Sequence, residues 1–97
     1  MERLYVNTGV LRDAFVRALD HLEEVHGKNI PLDHDFFWSI DAAERYDPYN
    51  PPTQFTMGQL TDSLTNLERM ISDEQPLGYA LVWLADVLEA VGKEIID

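Results

Sequence analysis

Cysteine is absent from these 97 residues. No disulfide framework, thiolate nucleophile or thiolate metal ligand can form, which fits a reducing compartment. Basic residues are scarce, with 7 Lys and Arg against 18 Asp and Glu, a net charge of −11. Nucleic-acid phosphates need Lys and Arg to displace counterions, so no direct contact with DNA or RNA is expected. No apolar run reaches the ~20 residues that cross a bilayer. The first residues, MERLYVNTGV, hold no long apolar stretch of the signal-peptide kind. A cytoplasmic protein without a membrane segment is therefore expected. Gly9, Gly27, Gly58, Gly78 and Gly92 form no phosphate-cradling loop. The serines and threonines, Ser39, Ser63 and Ser72 among them, lie in no nucleophile elbow. Neither catalysis nor a cofactor is expected.

What the chain has in excess is apolar surface at its end. From Pro76 it reads PLGYALVWLADVLEAVGKEIID, apolar on every side of a helix until Asp86. Pro76 suits a first helical turn, and Asp73 and Glu74 before it favour the positive end of the dipole. A helix apolar all round must be enclosed, by its own domain or by a partner. The pattern predicts a core helix over 76–95.

Two further helices are predicted. Over 8–26, Leu11, Ala14, Phe15, Ala18, Leu19, Leu22 and Val25 recur at three and four, with Asn7 or Thr8 as cap and Gly27 as terminator. Val16 interrupts its polar face. Over 56–72, Thr56 and Gln59 have capping-box spacing, and Met57, Leu60, Leu64, Leu67 and Ile71 form a narrow pairing stripe. The short Ser72–Gln75 connection makes this helix an antiparallel neighbour of the last one. Burial of Leu11, Phe15, Leu22, Leu60, Leu64, Leu67, Leu81, Leu84 and Leu88 would supply the core. The fold class expected is mainly α, a single domain over 1–97. It would be a small three-to-four-helix bundle with an extended aromatic insert near 28–55.

Within the insert, Phe36, Phe37, Trp38 and Ile40 favour extended backbone, and a two-stranded ribbon with Leu4–Val6 is expected. Asp41 and Glu44 repeat the capping-box spacing in acidic form, predicting a helical turn over Ala42–Tyr46. DPYNPPT, residues 47–53, reads as a rigid connector.

Six of the ten aromatics fall between Phe36 and Phe55, interleaved with Asp33, Asp35, Asp41, Glu44 and Asp47. Two uses are open to these rings. Phe36 and Trp38 can fold back as a plug for the helix core. Alternatively Trp38, Tyr46 and Tyr49 can anchor a partner while Asp33, Asp35, Asp41, Glu44 and Asp47 meet its Arg and Lys. Phe36, Phe37 and Trp38 cannot all face one way, because side chains alternate along extended backbone. Asp33-His34-Asp35 offers carboxylate and imidazole ligands, but consecutive residues seldom converge on one ion, and a solvated turn is expected instead. His21 and His26 lie at no helpful spacing, and His26 suits a helix C-terminus. Asp86 and Glu89 share a helix face beside apolar surface and read as a wet edge.

In size, acidity and lack of cysteine the chain is similar to small bacterial immunity proteins, antitoxins and phage-encoded inhibitors. That likeness is one of composition and transfers no residue. It implies a module that covers a basic surface on a partner such as a nuclease or toxin. The second expectation is a homodimer or accessory subunit joined through Tyr79, Val82 and Trp83. The third is a small enzyme or metal protein using Asp33, His34, Asp35 or Asp86.

Overall fold

The computed structural model describes residues 3–73 and 75–96. Glu74, expected beside the start of the last helix, lies outside them. The protein is mainly α, and its described residues form four helices and a two-stranded antiparallel sheet. No described helix is long and apolar enough to cross a membrane. The chain divides into two compact units, one ending at Pro31 and the other starting at Leu32.

The first unit is built on α1, Thr8–His26. Asn7 caps it, its side-chain oxygen accepting from the Val10 N–H at 3.0 Å. Gly27 ends it at φ +82°, the left-handed conformation that costs a residue without a Cβ nothing, and its N–H returns to the Glu23 carbonyl. Both ends fall where local residues place them. The apolar stripe, however, is exposed at Leu11, Phe15 and Leu19, and Leu22 is half-buried. Val16 is exposed too. Leu4–Val6 is irregular and exposed, not a strand.

The second unit contains β1 (Phe36–Ile40), α2 (Ala42–Arg45), β2 (Phe55–Gln59), α3 (Leu60–Ser72) and α4 (Leu77–Ile96). β1 pairs with β2, with Phe36 opposite Gln59, Trp38 opposite Met57 and Ile40 opposite Phe55. This corrects two expectations: the ribbon's second strand is not Leu4–Val6, and residues 56–59 are strand rather than the first turn of a helix. The T-x-x-Q signal is local, whereas Phe55-Thr56-Met57 can satisfy its backbone against β1, and that ladder prevails.

Helix α3 begins at Leu60 because Asp35, 26 positions earlier than Thr61, closes its end. The Asp35 carboxylate accepts from the Thr61 N–H at 2.8 Å, and its carbonyl accepts from the Leu60 N–H at 2.6 Å. The ordinary cap position holds Gln59, whose side chain makes no cap bond and donates to Asp35 at 2.7 Å.

Helices α3 and α4 pack together across their short connection. Ser63 and Asp86, each nine positions from the connecting end of its helix, meet as antiparallel neighbours do. The covered side of α3 carries Leu60, Ser63, Leu67 and Met70, while Leu64 and Ile71 are exposed. The contact stripe is thus rotated from the expected one, and Met57 lies off the helix altogether. On α4 the buried positions are Ala80 and Ala90, whose small side chains admit a neighbour. The Ala80 N–H reaches the Pro76 carbonyl, so the proline sits just before the helix. Asp73 ends α3, its N–H bonded to the Arg69 carbonyl, rather than opening α4.

The expected enclosure of α4 fails along its first half. Leu77, Tyr79, Leu81 and Val82 are exposed, as Leu88 is in part. Of the expected core leucines only Leu60 is buried, with Leu22, Leu67 and Leu84 half-buried. Among the described residues the buried set is Leu60, Ala80, Ala90 and Ser63, too few large side chains to make a conventional core.

Candidate functional site: the outer face of the ribbon and its connector

Register decides which rings face outward. Residues opposite one another in an antiparallel pair share a face. One face of the ribbon therefore holds Phe36, Trp38 and Ile40 beside Gln59, Met57 and Phe55. The other holds Phe37 opposite Gly58 and Ser39 opposite Thr56. Phe37 is half-buried over Gly58, where a Cβ would overlap its ring, and it lines grooves shared with α3 and α4. The ring turned further toward the helices is thus Phe37, while Trp38 borders the groove beside α4. Phe36 and Trp38, expected as the plug, are 57% and 67% exposed. With Met57 (60%) and Phe55 (52%) they make a bare apolar surface. Trp38 and Phe55 meet edge to face at 6.4 Å, a diagonal cross-strand pair.

The connector adds two rings. Tyr46 is 78% exposed and Tyr49 90%. The Arg45 guanidinium lies 5.9 Å from the Tyr46 ring centre, a loose cation–π contact. Asp47 forms the turn beneath them: its carboxylate accepts from the Tyr49 N–H at 2.9 Å and the Asn50 amide at 3.0 Å.

The expected partner-facing carboxylates divide into two groups. Asp35, Glu44 and Asp47 are committed to their own fold. Glu44 does not complete a capping box with Asp41. It accepts from the Thr53 hydroxyl at 2.8 Å and the Gln54 N–H at 3.2 Å, tying the connector to α2. These bonds hold each carboxyl below its ordinary pKa: at Asp35 Gln59 is the largest cause, at Glu44 Thr53, and at Asp47 Asn50. Asp41 makes no cap bond with its side chain and is exposed. Asp33 lies beside His34, Oδ1 to Nδ1 2.9 Å, and near Glu94 of α4. Its carboxyl is drawn down to about 2, by Glu94 first and then by His34.

Asp33, His34 and Glu94 bring three ligand atoms within 4.8 Å of one another. Glu94, and not Asp35, joins Asp33 and His34, since Asp35 bonds the first turn of α3. The imidazole Nδ1 lies 2.9 Å from the Asp33 carboxylate and 3.5 Å from that of Glu94.

Tyr79 and Trp83, two of the residues expected at a dimer seam, stack on one another at 6.2 Å. Tyr79 and Val82 are exposed and Trp83 is half-buried.

Sequence reasoning did not find Phe55 and Met57 as partners of Trp38. Their alternation with Thr56 and Gly58 is the signal that finds them once 55–59 is read as strand. Residues 32–97 carry thirteen acids and three bases, −10 of the chain's −11, so this ring-bearing unit holds nearly all the charge. No protein-family model matches the chain, and neither a curated protein nor a solved structure matches it.

Proposed function

We propose that this chain is a small acidic protein-binding module, an inhibitor of the immunity or antitoxin kind, that covers a basic surface of a partner in the cytoplasm. The observation that carries the reading is the exposure of Trp38, Tyr46 and Tyr49 on a ribbon and connector whose backbone is held by ionised carboxylates. Rigid rings give contact area at little cost in side-chain entropy, and a −10 unit steers a cationic protein toward them. The carboxylates pre-organise the surface and supply its field, while the rings make the contact. The module performs no chemistry of its own.

The test is affinity capture on immobilised wild-type protein beside a Trp38→Ala/Tyr46→Ala/Tyr49→Ala variant with unchanged circular dichroism. A basic protein held by the wild type, lost from the variant and eluted by salt supports the reading. Equal retention on both surfaces removes it.

A second reading has its own observation. Tyr79 and Val82 are 64% and 55% exposed on a helix that carries apolar residues all round. A homodimer or accessory subunit joined through Tyr79, Val82 and Trp83 would cover them and complete a helical bundle. Light scattering decides: a monomer at high concentration eliminates the self-associating form.

A further inference from the structure

Between the ribbon's inner face and helices α3 and α4 runs a groove of about 270 Å³. Its walls include Phe37 and Trp83, and its helix-borne polar groups are Asp62, Ser63, Asn66 and Asp86. Ser63 is the one buried polar side chain among the described residues, 5% exposed, and its hydroxyl reaches the Asp86 carboxylate only at 3.5 Å. That bond is at the limit of usefulness. Asp86 has no ion pair among the described residues, although a carboxylate can accept about four hydrogen bonds. Partial burial raises its pKa, with Glu89 adding to the rise and Ser63 and Arg45 opposing it. Asp33, Asp35, Glu44 and Asp47 instead have satisfying partners and lie low. This half-covered carboxylate lines one groove with Trp83 and Asn66, and Arg45 acts on it without forming an ion pair among the described residues.

We propose that this groove is a binding site for a guanidinium group, receiving one arginine side chain of the basic partner against Asp86, Asn66 and Trp83. The planar fork of arginine matches a carboxylate with two N–H bonds, leaves further donors for the Asn66 amide oxygen, and tolerates an aromatic wall better than the strongly hydrated lysine ammonium. The inference rests on the basic-partner reading and gives that partner a specific anchor.

The probe is the peptide acetyl-Gly-Arg-Gly-amide, titrated into the full chain and followed by ¹H–¹⁵N NMR. The control is the same peptide with citrulline, which keeps the shape and loses the charge. Saturable shifts at Ser63, Asn66 and the Trp83 indole N–H are expected with arginine and not with citrulline. Asp86→Asn should weaken the arginine complex by at least about tenfold, the scale of one charged hydrogen bond. Equal shifts from both peptides, or arginine shifts confined to Asp33, Asp41 and Asp47, overturn the site. The peptide comparison on wild-type protein needs no variant to fold. If the groove fails while a basic protein is still held through Trp38, Tyr46 and Tyr49, the anchor is wrong and the docking reading stands. If the groove takes arginine but no basic partner is captured, the site stands and the reading falls.

Discussion

Asp35 does at one position what several separate signals fail to do elsewhere. It accepts from the first turn of α3, takes a bond from Gln59, and stands directly before β1, so one carboxylate registers the ribbon against the helix. Asp35→Ala should lower the urea midpoint without changing the slope. Asp35→Asn, an equally good helix cap, should recover much of the loss. The carboxyl groups also set the acid response. For Asp33, Asp35, Glu44 and Asp47 the folded pKa lies below the unfolded one. Their contribution is complete above the ordinary carboxylate range of about 4 and is lost as pH falls through the lowered values. Asp86 has the opposite sign: its contribution is present at low pH and lost as pH rises through its raised value. Four groups outweigh one, so the urea midpoint should fall from about pH 4 toward about pH 2, the value at Asp33. Gly58 admits no side chain under the Phe37 ring, and Gly58→Ala should cost about 1–3 kcal/mol in urea unfolding.

At the scale of elements, what was legible in the sequence is what local residues decide. Helix α1 starts at its Asn7 cap and stops at Gly27, and the connector turns at Asp47, whereas the insert's helical turn forms over Ala42–Arg45 without a side-chain cap from Asp41. The start of α3 was not legible, because the group that closes it lies across the chain at Asp35 and the strand that displaces its first turn is β1. The composition of the candidate surface was visible from its crowd of rings. Its orientation was not, since pairing with 55–59 turned Phe37 inward and left Phe36 and Trp38 outside. Helix α4 met its expected boundaries but not its expected burial. Trp83 is half-buried and stacked on Tyr79, so Trp83→Ala should cost ~2 kcal/mol in the isolated protein, below the range for a core aromatic. Met57→Lys, on the bare face of the ribbon, should leave the unfolding midpoint nearly unchanged and weaken partner binding.

As a whole molecule, the protein combines a sparse buried core with rings held outward and a net charge of −11, nearly all of it in the unit that bears the rings. On the proposed function, this charge would draw in a cationic partner that then meets Trp38, Tyr46 and Tyr49. Tyr49→Ala removes one exposed ring and no bond of the Asp47 turn, which uses the backbone N–H. It should therefore leave folding intact and speed dissociation of the complex. The most direct measurement is the association rate of the captured basic partner, recorded by surface plasmon resonance from low to high salt. The expected result is an on-rate that falls steeply with ionic strength, and an off-rate that rises in the Tyr49→Ala variant. An on-rate indifferent to salt, with the variant dissociating like wild type, contradicts docking through this acidic, ring-bearing surface.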